Sequence, residues 1–240
     1  MLRCVEPEWL DELPPEDPRA IRSRGDLQRV NRWMGQAGIM RRALLSSRGL
    51  TAPRVVLELG AGDGTFMLTV ARSLALGWKD VKVILLDCKD IVSNETLHGF
   101  KALGWDVETI KADAFEFLGQ AKQRSVDAIT ANLFLHHFRH ERLTQLLLQA
   151  ARVADLFVAC EPRRSTLALV GSRLLWAIGC NSVSRHDAVV SVRAGFADED
   201  LSELWPDQDD WRLTERAAGL FTHCFVAQRS GRSMGPQNEI

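Results

Sequence analysis

Three glycines at alternate positions, Gly60, Gly62 and Gly64, join a short apolar run to an amphipathic one. That junction constrains the fold more than any other feature of the chain. Val55-Val56-Leu57-Glu58-Leu59 carries β-branched residues in an apolar run, as suits a strand buried on both faces. Past the glycines, Phe66-Met67-Leu68-Thr69-Val70-Ala71-Arg72-Ser73-Leu74 repeats its apolar residues at helical spacing. Strand, glycine turn and helix make the first half of a doubly wound nucleotide-binding unit. Such glycines let the backbone turn sharply and let a ligand approach the main chain. Thr65 stands where a dinucleotide fingerprint has its third glycine, and Glu58 at the strand end repels a pyrophosphate. The same acid suits a ligand that carries an ammonium or a sulfonium.

The pattern then alternates. Strands are expected at Val81–Asp87, Trp105–Ile110, Val126–Asn132 and Leu156–Glu161, with helices at Asn94–Leu103, Ala114–Gln123 and Leu143–Val153. An acid closing the second strand of such a unit accepts hydrogen bonds from ribose hydroxyls, and Asp87 stands there. Asn132 closes the fourth strand, where its C-terminal end faces a ligand crevice. Near the end, Trp211–Arg216 and Leu220–Ala227 read as a hairpin around Ala218-Gly219.

Residues 1–50 are expected to form a proline-bearing irregular arm to about Arg19, then a helical cap from Ile21 to Leu45 that Gly49 closes. Leu27, Val30, Trp33 and Met34 share one face of that cap; Asn31, Arg32 and Trp33 either cover a pocket or pack the cap on the sheet. Ser165–Cys180 reads as an apolar helix too short to span a bilayer. Within an insertion over 163–200, it is a wall or lid of an acceptor pocket or an ordinary buried helix. His186 and Asp187 follow, read as extended and so pointing apart. Asp198–Trp205 reads as a short helix capped by Asp198. From 229 the composition is that of a disordered tail.

With 240 residues, 46% hydrophobic and 25% charged, the chain is globular throughout its main body, expected as one domain over 51–228. A net charge of −1 gives no track for nucleic-acid phosphates. No secretory signal or membrane span is evident. Cys4, Cys88, Cys160, Cys180 and Cys224 lack C-x-x-C pairing, which reads as reduced thiols of a cytoplasmic protein and gives no metal site.

The string E-L-G-A-G-D-G-T at 58–65 resembles motif I of the class I S-adenosylmethionine-dependent methyltransferases, and the likeness extends over about Arg54 to Ala227. It implies a Rossmann-like seven-stranded, mostly parallel sheet with a terminal antiparallel hairpin, helices on both faces and an N-terminal helical cap. S-adenosyl-L-methionine is the implied cofactor, with Glu58, Gly60, Ala61, Gly62, Gly64, Asp87, Cys88, Asp113, Ala114 and Asn132 as its contacts. Asp113 stands where the family places an acid on the adenine amino group; an acid capping the next helix looks the same in sequence.

Leu133-Phe134-Leu135-His136-His137-Phe138 resembles the L-x-L-H-H-F segment of small-molecule methyltransferases. S-V-S-R-H-D-A-V-V-S-V-R-A-G-F at 182–196 looks like a segment of methyltransferases encoded beside bacterial type III polyketide synthases. Together these imply methyl transfer, most simply to the oxygen of a small apolar, phenolic or quinone-like acceptor, with His136 or His186 as general base. Glu161 is expected to orient the acceptor or to pair with Arg163. The alternatives are a binding protein that keeps the fold without catalysis, a nicotinamide-dependent oxidoreductase, and a methyltransferase acting on protein or nucleic acid. The chain has no Asn-Pro-Pro-Tyr-like motif after strand four and no tyrosine at all, which speaks against nucleic acid.

Overall fold

The computed structural model describes residues 1–46 and 52–230. Seven strands form one sheet: β1 (Val55–Leu59), β2 (Lys82–Asp87), β3 (Asp106–Lys111), β4 (Ala128–Asn132), β5 (Leu156–Pro162), β6 (Trp211–Ala218) and β7 (Thr222–Arg229). Their order is β3-β2-β1-β4-β5-β7-β6. The first five run parallel, and β7 lies antiparallel between β5 and β6. This is the expected Rossmann-like sheet with its terminal hairpin, and β7 extends to Arg229, past the expected start of the tail. The remainder of the tail, with Arg48 and Gly49, lies outside the described residues.

Strand order reverses direction between β1 and β4, and the crevice of such a fold opens there, beyond the C-terminal strand ends. The central strands are apolar because helices cover both faces; β5 is buried at every position from Leu156 to Pro162. One face is filled by Leu57, Leu59, Ile129, Phe157 and Phe225 with α6 (Ala114–Gln120) and α7 (His140–Val153). The other holds Val56, Val83, Val158, Cys160 and Cys224 beneath α3 (Gln36–Ser46), α4 (Thr65–Leu74) and α5 (Asn94–Ala102).

The cap departs from its sequence reading. It is two helices, α2 (Pro18–Trp33) and α3, broken at Gly35, whose φ of +67° no helix continues through. The expected apolar face is only partly covered: Leu27 and Trp33 are exposed and Val30 and Met34 half-buried, while α2 fully buries Ala20, Ser23 and Asp26. The reason is a polar seam. Asp26 takes hydrogen bonds from Arg29, from the backbone of Asn181 and from the Ser184 hydroxyl, and Ser23 meets Ser184 at 2.9 Å. The proline arm is not wholly irregular either; α1 (Trp9–Glu12) forms one helical turn within it.

The 163–200 region also differs. The apolar segment splits into α8 (Thr166–Arg173) and a 3₁₀ turn (Leu175–Ile178), which leave Leu167, Val170, Leu174 and Trp176 exposed. His186 and Asp187 lie not in extended chain but in α9 (Ser182–Ala194), where Asn181 caps the first turn. Asp198–Trp205 is a run of turns, with Asp198 at φ +51° rather than capping a helix.

α9 is fixed to the sheet at its end. Phe196 donates to the Pro162 carbonyl, and a Cβ built on Gly195 would strike that same carbonyl. Backbone cannot yield as a flexible side chain does. Gly195→Ala is therefore expected to lower stability by about 1–3 kcal/mol in urea unfolding; an unchanged midpoint would show that this junction is loose.

Candidate active site

Gly60, Gly62 and Gly64 all take positive φ, at +67°, +56° and +72°. At Gly60 a Cβ would collide with the Phe134 ring, whereas at Gly62 it would meet nothing within 4 Å. The turn is thus packed behind and open in front. Its amides are held from the neighbouring strand: Ala61 N–H donates to the Leu86 carbonyl, and Gly62 N–H to the Asp87 carboxylate at 2.8 Å. Asp87 also accepts from Lys89 N–H, which fixes its carboxylate at the rim of β2. Asp63 binds Thr65 through one oxygen and the Gln28 amide through the other, so α2 is tied onto the glycine turn.

Glu58 lies beneath this turn, 2% exposed, and its Oε2 has no partner among the described residues. Burial, with Asp63 and Asp87 nearby, pushes its acid well above the usual carboxylate range. The amide oxygen of Asn132, at the end of the adjacent β4, is likewise buried without a partner. In the helical cap, Asn31 Oδ1 and both amide atoms of Gln36 are also buried without a partner among the described residues. Buried polar atoms are normally paired. A carboxylate and amides left in this state beside an open glycine turn fit a ligand with a cation and hydrogen-bonding groups. The sequence offers Asn31 either as a pocket cover or as a packing residue of the cap, whereas Gln36 carries no sequence signal, since a lone glutamine in a helix has none.

Asp113 caps α6, accepting from Phe115 and Glu116 N–H at 2.8 and 3.1 Å. Ala61 and Ala114 are buried, and Cys88 is exposed after β2. The glycine turn, Glu58, Asp87 and Asn132 converge at the strand ends, whereas Asp113 serves α6 at the end of β3.

The segment after β4 leaves the sheet through Leu133 at φ +53°, a left-handed conformation that a leucine adopts only when its surroundings impose it. Glu161 imposes it from the end of β5. Its carboxylate is fully buried and accepts from Phe134, Leu135 and His136 N–H at 3.0, 2.9 and 3.4 Å, and from His136 Nδ1 at 2.8 Å. Glu161 does not pair with Arg163. His136 Nε2 meets Glu8 at 3.2 Å, and the Ser191 hydroxyl also donates to Glu8. Burial alone would lower the His136 pKa, but the two carboxylates raise it from 6.5 to about 9.

His136 is therefore an imidazolium with both N–H groups donated, and it offers no lone pair to an acceptor. The expectation that it is a general base fails on this geometry. His137 Nδ1 lies 3.2 Å from Asp11. Glu8, His136 and His137 are close enough to surround a metal ion, yet the same residues are already engaged in these ion pairs.

His186 differs. Its Nδ1 is 2.8 Å from Asp187 Oδ1, within helix α9 rather than in the extended chain expected. Asp187 also accepts from Trp9 and Leu10 N–H, and the Trp9 ring stacks on the imidazole at 3.8 Å and 7°. Nε2 of His186 has no partner among the described residues, and the side chain is 31% exposed. Lys89 Nζ donates to the Leu10 carbonyl. The arm from Glu8 to Asp11 thus joins the loops after β2 and β4 to α9, across the mouth of the crevice.

Because His136 is held at about 9 when folded against 6.5 in the free state, its stabilising effect is complete below pH 6.5 and is lost as pH rises through 9. The expected loss is about 3 kcal/mol. Urea titrations between those pH values should show it in the parent and not in His136→Gln.

Residues 56–155 match the family model described as a methyltransferase domain. No curated protein matches by sequence. Among solved structures, the plantazolicin methyltransferase BpumL with SAH superposes at a TM-score of 0.63 and 15% identity, over 90% of this chain and 92% of that one. An O-methyltransferase family protein from Burkholderia thailandensis gives 0.58 at 18% identity, over 90% and 61%. The mitomycin 7-O-methyltransferase MmcR gives 0.56 at 15%, over 92% and 60%. Residues 56–155 thus match a methyltransferase domain, and the seven-stranded sheet gives the chain the fold of these solved methyltransferases.

Proposed function

We propose that the chain methylates the hydroxyl of a small apolar acceptor, phenolic or quinone-like, using S-adenosyl-L-methionine. The observation that carries this reading is the unpartnered Glu58 carboxylate oxygen beneath an open glycine turn. An amino-acid ammonium above Gly60 and Gly62 would pair with Glu58, and Asp87 would take the ribose hydroxyls. Asn132 and Gln36 offer amide groups to the remaining polar atoms. Asp113 keeps one carboxylate oxygen for an adenine amine while the other caps α6. Ala61, Cys88 and Ala114 flank these groups.

When bound, the cofactor supplies an electrophilic methyl group on a sulfonium. The protein itself must align the acceptor, exclude water and remove the acceptor proton. His186 suits proton removal, because Asp187 fixes the tautomer with the proton on Nδ1 and Nε2 is left to accept. Trp9, stacked on that imidazole, gives an aromatic acceptor a flat surface at the same mouth. Two of the structural neighbours are named as O-methyltransferases, which favours oxygen over nitrogen or carbon.

Asp87→Ala is expected to weaken S-adenosylhomocysteine binding by about 1.5–3 kcal/mol in calorimetry, with the fold intact. Normal affinity in that folded variant would refute the cofactor placement. His186→Ala should lower turnover of a phenolic acceptor by about 10²–10⁴-fold at neutral pH, with unchanged S-adenosylhomocysteine affinity. The deficit should shrink as pH approaches the phenol pKa of about 10. A His186→Ala enzyme as fast as the parent would leave transfer to alignment alone.

A further inference from the structure

Cys160 on β5 and Cys224 on β7 are register partners in an antiparallel pair. The phase of the ladder fixes their spacing. Arg163 N–H donates to Phe221 and Arg229 N–H to Asp155, so the odd-numbered residues of β5 occupy the hydrogen-bonded positions. Cys160 therefore sits at a non-hydrogen-bonded position, where opposed Cα atoms are about 4.5 Å apart and side chains lie closest. Disulfides span about 4.4–6.8 Å between Cα atoms, so this pair can close without backbone movement.

Both thiols are free, and they are 0% and 2% exposed on the sheet face beneath α3. Arg216 is the β6 register partner of Cys224, and with Arg42 of α3 it lines a cleft of about 440 Å³. Neither arginine has an ion pair or hydrogen bond among the described residues. A hydrogen bond from Cys160, and to a lesser extent the charges of Arg216 and Arg42, hold the Cys224 thiol below its ordinary value against the effect of burial. That same contact, together with burial, pushes Cys160 up. Electropositive surroundings of this kind make a cysteine the nucleophile of a pair.

We propose that Cys160 and Cys224 form a two-electron redox site that a peroxide converts to an intramolecular disulfide. The Cys224 thiolate attacks one peroxide oxygen; the O–O bond breaks and hydroxide leaves, taking a proton to become water. Cys160 sulfur then attacks the sulfenic sulfur of Cys224; the S–O bond breaks and a second water leaves with the Cys160 proton. One peroxide is reduced to two waters and two thiols are oxidised. A small oxidant suits the pair, since both thiols are buried while Arg216, the register partner of Cys224, lines the cleft. Cys160 precedes Glu161, so the new bond ties β7 to the strand that holds the segment after β4. The proposal is independent of the methyl-transfer reading.

The test is hydrogen peroxide treatment of the folded full chain, then thiol alkylation and peptide mapping. The expected product is a Cys160–Cys224 cross-linked peptide, lighter by two hydrogens, and a raised urea midpoint because a loop of roughly 60 residues is closed. Cys160→Ser should yield no cross-link and a sulfenate on Cys224 that dimedone traps. Arg42→Gln with Arg216→Gln should slow cross-linking severalfold without changing the unfolding midpoint. Oxidation of exposed Cys4 and Cys88 while Cys160 and Cys224 stay fully alkylatable in urea would overturn the proposal. So would a cross-link that forms only after unfolding.

Discussion

The Glu161 carboxylate is the interaction on which the segment after β4 depends. A buried carboxylate costs several kcal/mol to desolvate unless its oxygens are filled. Here three consecutive backbone N–H groups and an imidazole fill them, and all four belong to residues 134–136. One side chain at the end of β5 thereby fixes the path by which the chain leaves β4. Leu133 bears the cost in backbone conformation, and Phe134 is delivered against Gly60. The glycine turn and the loop after β4 are consequently one packed unit. Charge is balanced by the same cluster: imidazolium His136 lies between Glu161 and Glu8, and Arg3 sits in the field of Glu161 while donating to the carbonyls of His136 and Phe138.

This balance explains the pattern of what the sequence could reveal. Every feature set by local periodicity or turn chemistry was legible: the five parallel strands, the glycine turn, Asp87 at its strand end and the terminal hairpin. Two of the features that failed were decided by contacts across more than 100 residues, and a third by a local helix cap. Leu27 and Trp33 suggested an inward face for α2, but Asp26 and Ser23 meet Asn181 and Ser184, and that polar seam outweighs two apolar side chains. His136 had the residue type of a base, yet Glu8, 128 residues earlier, removed its lone pair. Adjacent His186 and Asp187 looked unable to cooperate because their segment was read as extended. Asn181 starts a helix there, and the pair meets.

The arm through Glu8–Asp11 follows from the same cluster. A single helical turn has too little hydrogen bonding to stand alone. α1 persists because Asp187 satisfies the free N–H groups of Trp9 and Leu10, because Trp9 stacks on His186, and because Glu8 and Asp11 pair with the two histidines. All of these partners are polar or aromatic groups at the crevice mouth. An arm held in this way is ordered by the site it covers, so the integrity of α1 and the geometry of the mouth are coupled.

That coupling separates the two histidines by role. A base must give its lone pair to the acceptor and then hold the proton reversibly, which requires one free nitrogen and one oriented nitrogen. His186 has both, with Asp187 on Nδ1 and Nε2 unencumbered. His136 has two oriented nitrogens and none free, and to release a proton it would have to leave Glu8 and Glu161 facing each other across a neutral ring. Two carboxylates in that position repel, which is why the imidazole titrates so high. The residue that most resembles a catalytic histidine in sequence is thus the cation that holds the site together. Of the two, only His186 on α9 keeps a ring nitrogen without a partner among the described residues, which is the property the proposed base requires.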